Sequence, residues 1–281
     1  MTPHMSRFAR RVMGPDSRSS LVPPVAALPP LLSPERGPMT ADLTRRQDDL
    51  PSTGDLPKLP HRLAVPVRAI ASRYFARKYD LRVHHQELFP RTGPVLMTPN
   101  HLSLLDGPLL GAIAPRMLHQ LGKIEAFGGL QGWFLRATGQ IPIDRTSYDP
   151  RAIRQSIKVL RDGRVLSIYP EGTRGTGDFR RIQLGTAYMA MVTGAPILPV
   201  ALLGTRLPGG DIEGFPPAGS RVDVVYGEPF TVDRVSFPRR HSDVRAVADQ
   251  IGDMLRAHIK AAVAATGHPL PGAPDKKDPD D

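Results

Sequence analysis

Val95–Leu96–Met97–Thr98–Pro99–Asn100–His101–Leu102–Ser103–Leu104–Leu105–Asp106 runs from one apolar stretch through a polar turn into another. Val95–Met97 reads as a short buried strand that ends at Pro99. Leu102–Ile113 reads as a mostly apolar helix, interrupted early by Gly107 and Pro108. His101 therefore falls at a strand-to-helix junction. Two residues five apart in one straight helix do not share a face. With His101 just before the helix and Asp106 just inside it, the chain can bend so that they meet. Asp106 would then fix the imidazole tautomer and leave the second ring nitrogen as a base. A His and an Asp at this spacing also occur by chance, so the pair alone does not establish chemistry. Ser103 reads as a capping or backbone-bonding group.

Working outward, strands and helices alternate. Leu118–Gly122 is a second strand, and Lys123–Ala137 a helix carrying Phe127, Leu130, Trp133, Phe134 and Leu135. Those side chains suit either the protein core or the lining of an apolar substrate site, and core is the more frequent role. Gly139–Arg145 is a strand ending in a polar turn, Pro150–Arg161 a helix stopped by Asp162–Gly163, and Val165–Tyr169 a strand. A polar, glycine-rich loop follows from Pro170 to Gly177. Leu184–Val192 is helical, Pro196–Leu203 and Arg221–Tyr226 are strands, and Ser242 can cap a last helix to about Ala264. The alternation predicts a single α/β domain with a largely parallel sheet flanked by helices. Such sheets place their sites at the carboxyl ends of strands, where Asn100, His101, Arg145 and Glu171–Arg174 fall.

His61–Lys78 reads as an N-terminal amphipathic helix with the stripe Leu63, Val67, Ile70 and Tyr74. Arg62, Arg73, Arg77 and Lys78 flank it, a pattern that suits either an anionic lipid surface or docking on the protein's own core. The domain is expected to span residues 61–266. Residues 1–60, rich in Pro, Arg and Ser, and the Pro-rich charged tail 267–281 are expected to be disordered. Met39 is a candidate start. Prolines 23, 24, 29 and 30 break the apolar run Leu21–Leu32, so it does not read as a signal peptide.

The 281 residues include no cysteine, which excludes disulfides, zinc–thiolate sites and cysteine nucleophiles. The histidines are scattered without carboxylate partners spaced for a metal. A net charge of +10 favours anionic partners without choosing among them. No nucleic-acid module's aromatic–basic motif is present, so nucleic acid is not expected. No apolar run approaches the ~20 residues that span a bilayer; the expected location is peripheral, on the cytoplasmic side of a membrane. No GxSxG elbow or nucleotide P-loop is found. Arg145, Arg174 and Lys123 can supply positive charge to a phosphate or carboxylate, and the Gly172–Gly177 loop can bring backbone N–H groups to an anion.

Four blocks together resemble the 1-acyl-glycerol-3-phosphate acyltransferases and the wider glycerolipid acyltransferase superfamily. Asn100–Asp106 is similar to the family's NHxxxxD block and Gly139–Arg145 to its GxIPxxR block. Tyr169–Arg174 is similar to FPEGTR and Ala195–Val200 to VPIVPV, and Lys123–Phe127 resembles the segment between the first two blocks. The likeness covers residues 95–203. It implies a glycerol-phosphate acyltransferase-like fold and acyl transfer from acyl-CoA or acyl-carrier protein to a lysophospholipid hydroxyl, with no cofactor. His101 would be the general base and Asp106 its orienting carboxylate. Lys123, Arg145, Glu171, Gly172, Thr173 and Arg174 would shape the acceptor site. One departure is that Phe179–Arg180–Arg181 is separated from Gly185, where the family often has FK(K)G. The other class compatible with the residues is a non-catalytic, basic lipid-binding module that keeps the fold.

Overall fold

The computed structural model describes residues 51–56 and 64–275. Expectations for residues 1–50, for His61–Leu63 and for 276–281 lie outside the described residues. In chain order the elements are α1 (Ala64–Lys78), β1 (Asp80–His84), β2 (Val95–Pro99), α2 (Asp106–Ile113), β3 (Leu118–Lys123), α3 (Gly129–Ala137) and β4 (Ile141–Ile143). They continue with α4 (Pro150–Arg161), β5 (Val165–Ser167), α5 (Leu184–Thr193), β6 (Ile197–Leu203), β7 (Arg221–Tyr226) and α6 (His241–Thr266). Short 3₁₀ turns occupy Gln86–Leu88 and Ile124–Phe127.

The seven strands lie side by side in the order β1-β7-β6-β2-β5-β3-β4. All neighbours are parallel except β6 and β7, so the sheet is largely parallel. Side chains alternate between its two faces, as the two-residue period of a strand requires. Leu96, Ile197, Ala201 and Leu203 pack under α4, α5 and α6. Val95, Met97, Leu198, Val200 and Leu202 pack under α1 and α2. The central strands are buried on both faces, which is why they read as continuous apolar runs.

Several boundaries differ from the sequence reading for local reasons. The helix expected from Leu102 begins at Asp106, because Asn100–Leu105 forms the turn that holds the site. The helix expected over Lys123–Ala137 is split by a 3₁₀ turn and by Gly128 in extended backbone. Ser242 does not cap α6; it lies within the first turn, and its hydroxyl donates to Asp243. On α1 the buried side chains are Ala64 and Phe75, whereas Ile70 and Tyr74 of the expected stripe are 70% and 53% exposed. Strand β1 had no clear apolar signal, since its burial comes from pairing with β7 at the sheet edge.

The stretch after α6 does not follow its composition. Gly267, with φ of +63°, ends the helix in the left-handed conformation that glycine adopts freely. The chain then turns back on the sheet. His268 Nδ1 lies 2.8 Å from buried Asp223 Oδ2, and the Gly272 carbonyl accepts from Arg206 Nη2 at 2.8 Å. At the other end of the chain, Arg154 Nε donates to the Ser52 carbonyl and Arg161 Nη1 to Thr53 Oγ1, fastening residues 51–56 to α4.

His258 on α6 is buried and lies 3.0 Å from the Val225 carbonyl through Nε2. Burial lowers its pKa from 6.5 to about 4, the carbonyl only partly offsetting this. The folded state thus holds the neutral ring, and its stabilising contribution, complete above pH 6.5, is lost as pH falls toward 4. His258→Gln should therefore show a smaller fall in Tm between pH 7 and pH 5 than the unsubstituted protein; an equal fall would assign the acid sensitivity to other groups.

Candidate functional site

The turn between β2 and α2 is built by side chains that act as pieces of backbone. Asn100 continues β2 past Pro99. Its Nδ2 donates to the Leu202 carbonyl at 3.0 Å, and its Oδ1 accepts from Leu202 N–H at 2.7 Å, so the amide completes the ladder with β6. Ser103 Oγ donates to the Thr205 carbonyl and accepts from Leu105 N–H, the backbone-bonding role its position suggests. Asp106 is fully buried at the first turn of α2. Its Oδ2 accepts from Leu102 N–H at 2.7 Å and Ser103 N–H at 2.9 Å, and stands 2.8 Å from His101 Nδ1. That geometry assigns the Nδ1–H tautomer to His101 and leaves Nε2 without a hydrogen-bond partner among the described residues.

The second turn of the site follows β5. Tyr169 stacks on the His101 ring, with centroids 3.9 Å apart and planes 22° apart. Its hydroxyl donates to Gln120 Oε1 at 3.3 Å, and Gln120 Nε2 donates to the Gly107 carbonyl. Burial, with Asp106 nearby, raises the Tyr169 pKa well above its ordinary value, so the hydroxyl keeps its proton. Glu171 turns toward the protein: Oε1 accepts from His101 N–H at 3.0 Å, and the Gly177 N–H also donates to the carboxylate. Gly175 N–H donates to the His101 carbonyl at 2.9 Å. The backbone of His101 is thus held on both sides by the Glu171–Gly175 loop. Gly177, at φ +73°, must be glycine, since a Cβ there would lie 2.4 Å from Leu102 and 2.8 Å from the Asn100 amide.

A cavity of about 550 Å³ opens beside His101. Its walls are α1, α2, β3 and α3, and they are mostly apolar. Lys123, Arg145 and Arg174 line the same cavity. The strands that lead to Arg145 and Arg174, β4 and β5, are not neighbours; β3 lies between them and brings Lys123 to the gap. Arg174 is buried, with Nη1 3.4 Å from the Ile212 carbonyl and Nη2 3.7 Å from Glu213, while Arg145 is exposed. Glu171, Gly172 and Thr173 do not line the cavity. Glu171 faces the His101 backbone instead, and Gly172, at φ +79°, makes the turn against Gln183.

Two groups that the sequence reading passed over belong to the site. Gln120 reads as an ordinary strand residue until the fold puts it beside Tyr169. Arg206 is 3% exposed, and its guanidinium donates to four carbonyls from four separate stretches: Leu102, Gly175, Gly210 and Gly272. No local pattern marks it. The only available signal was a lone arginine just past an apolar strand.

A family model described as Acyltransferase matches residues 80–203. The chain is 34% identical over 153 residues to the lyso-ornithine lipid O-acyltransferase of Pseudomonas aeruginosa, covering 52% of this chain and 58% of that protein. It is 30% identical over 126 residues to the 1-acyl-sn-glycerol-3-phosphate acyltransferase of Bacillus subtilis, covering 44% and 63%. The chain thus spans less than two thirds of the length of either relative. The crystal structure of the 1-acyl-sn-glycerophosphate (LPA) acyltransferase of Thermotoga maritima shares the fold, with a TM-score of 0.54 at 22% identity over 72% of this chain and 80% of that one.

Glu171 supplies a pH signature for the site. Burial raises its pKa from 4.5 to about 8, Asp178 and Asp106 adding to the shift while the two N–H donors oppose it. A raised carboxylate pKa means that the folded state favours the protonated form. Its contribution to stability is complete below pH 4.5 and is lost as pH rises through 8. Glu171→Gln keeps the accepting oxygen and cannot ionise. Its Tm relative to the unsubstituted protein should therefore climb between pH 5 and pH 8; a pH-independent difference would show that Glu171 does not titrate in this range.

Proposed function

We propose that the protein is an O-acyltransferase of glycerolipid synthesis that moves a fatty acyl group from an acyl-CoA or acyl-carrier-protein thioester to the hydroxyl of a lysophospholipid. The observation that carries this reading is the His101–Asp106 pair beside an apolar cavity that also holds three cationic side chains, in a stretch that matches the Acyltransferase family model. The pair suits general-base catalysis. His101 Nε2 takes the proton of the acceptor hydroxyl, whose oxygen attacks the thioester carbonyl. The tetrahedral intermediate collapses, the C–S bond breaks, and the imidazolium returns the proton to the leaving thiolate. Asp106 stabilises the imidazolium, as in a serine-protease triad in which the substrate alcohol replaces the serine. Tyr169 and the Glu171–Gly175 loop keep the ring and its backbone in place. The apolar walls suit an acyl chain, and Lys123, Arg145 and Arg174 suit a phosphate monoester.

A second acceptor has support of its own. One relative is named for a lyso-ornithine lipid, and Glu213 lines the cavity beside Arg174. A carboxylate there suits an ammonium group better than a phosphate. In this reading the protein associates peripherally with an anionic membrane surface; among the described residues no helix is long and apolar enough to cross a bilayer.

Thioester consumption by the purified protein with lysophosphatidic acid, and with a lyso-ornithine lipid in parallel, tests the reaction and separates the acceptors. His101→Ala should lower kcat about 10²–10⁴-fold with the fold intact. Asp106→Asn should be severely slowed as well. Near-native turnover by folded His101→Ala would remove the general-base mechanism.

Saturation curves for each substrate test the cations. Arg174→Ala and Arg145→Ala should raise the KM for lysophosphatidic acid, or lower its kcat/KM, far more than they affect the acyl donor. Arg174→Lys keeps the charge but loses the planar fork, and should still impair the enzyme. Acceptor kinetics unchanged in all three folded variants would rule out the phosphate assignment.

A further inference from the structure

Helix α3 leaves most of its large apolar side chains uncovered. Of its nine residues only Gly132 is buried. Leu130 is 82% exposed, Trp133 58% and Phe134 41%, and Ile124 just before the helix is 47% exposed. Leu130, Trp133 and Phe134 stand at i, i+3 and i+4, so they share one side of the helix. The helix is held at its other side. Gly132 approaches the Phe127 backbone so closely that any Cβ would clash, and Arg136 Nη1 donates to the Phe127 carbonyl at 2.8 Å. The ridge is therefore fixed in place rather than frayed. A fixed ridge of Leu, Trp and Phe in water is unfavourable unless something covers it.

Three observations say what covers it. Gln131, Phe134 and Leu135 line the cavity that reaches His101, so the helix that carries the ridge is also a wall of the site. Another wall is α1, whose Val65, Ile70 and Tyr74 are exposed as well. Basic side chains share the depressions that the ridge residues line: Lys123 and Arg145 with Phe134 on the cavity, and Arg136 and Arg151 with Trp133 on a second depression between α3 and α4. Glu125, Asp144 and Asp149 are the carboxylates close to the helix in the chain, and Glu213 lines the cavity beside Arg174. Asp149 caps α4, and Asp144 accepts from Thr146 and Ser147.

We propose that α3 is a membrane wedge, with Leu130, Trp133 and Phe134 lying in the interface of an anionic bilayer so that a lysolipid passes from the bilayer directly into the cavity. Nine residues rise about 14 Å, too short to cross a hydrocarbon core of about 30 Å, so the helix lies in the plane of the interface. Tryptophan at head-group depth and arginine snorkelling from it are the side chains such a position favours. The proposal deepens the lysophospholipid reading and rests on it for the passenger, but not for the docking.

The chain has one tryptophan, so its emission reports on α3 alone. The full chain is mixed with phosphatidylcholine vesicles, with and without phosphatidylglycerol and with lipids brominated on the acyl chain. Trp133 emission should shift to the blue and be quenched by the brominated lipid, more strongly with phosphatidylglycerol and less at high salt. Leu130→Glu, on a side chain that lines neither cavity, should weaken vesicle binding about tenfold or more and remove most of the quenching, with unchanged circular dichroism. Cosedimentation with Trp133 unquenched would overturn the proposal, because another element would be docking. So would emission already blue in the lipid-free protein, together with a dimer that Leu130→Glu dissolves, because a second copy would then be the cover. If quenching behaves as expected while no thioester is consumed with lysophosphatidic acid, the wedge stands and the acceptor reading falls.

Discussion

One oxygen, Asp106 Oδ2, sets the geometry of the site. It takes N–H groups from Leu102 and Ser103 and faces His101 Nδ1, all within 2.9 Å. The two backbone donors and the imidazole offset part of the cost of burying this carboxylate, all of them at Oδ2, while Oδ1 is buried with no hydrogen-bond partner among the described residues. The same bonds force the chain between β2 and α2 into a tight turn. Fold and site geometry therefore depend on the same contact: the carboxylate that orients the imidazole also gathers the backbone of the turn that leads into the helix.

Around that turn lies a second layer that works on backbone rather than on side chains. Asn100 completes the ladder to β6, Glu171 and Gly175 hold His101 from either side, and Arg206 ties the turn to the loop after β5 and to the stretch after α6. A buried guanidinium is tolerable only when its donors are taken up, and carbonyls from distant parts of the chain take them up here. The C-terminal stretch is thereby part of the domain. Its composition suggests a tail, but Gly272 and His268 fill hydrogen bonds that the core leaves open.

The sheet order explains the distribution of charge. From β2 at the centre the chain crosses to β3 and β4 at one edge, comes back to β5 beside β2, and then forms β6 and β7 on the other side. Parallel strands deliver their carboxyl ends to one edge, so segments far apart in sequence converge there. Lys123, Arg145 and Arg174 arrive from three strands and share one cavity with His101. The apolar walls come from helices on the other side of the chain's crossovers, α1 and α3 among them.

The sequence by itself determined the layers and the turn. Apolar runs at Val95–Met97, Val165–Ser167 and Ile197–Leu203 could only be strands buried on both faces, and the helices between them made the sheet parallel. The spacing of His101 and Asp106 across a strand-to-helix junction allowed a bend that brings them together. Local patterns carry that information because neighbours in the chain make those contacts. What tertiary structure decided is everything built from distant partners. It turned Glu171 away from the cavity and onto a backbone N–H, placed Gln120 and Arg206 at the site, and set β3 between β4 and β5. It also left Ile70, Tyr74, Leu130 and Trp133 in the open, although their spacing is that of buried faces. A hydrophobic period says that a face will be covered; only the packed fold shows whether the protein itself covers it.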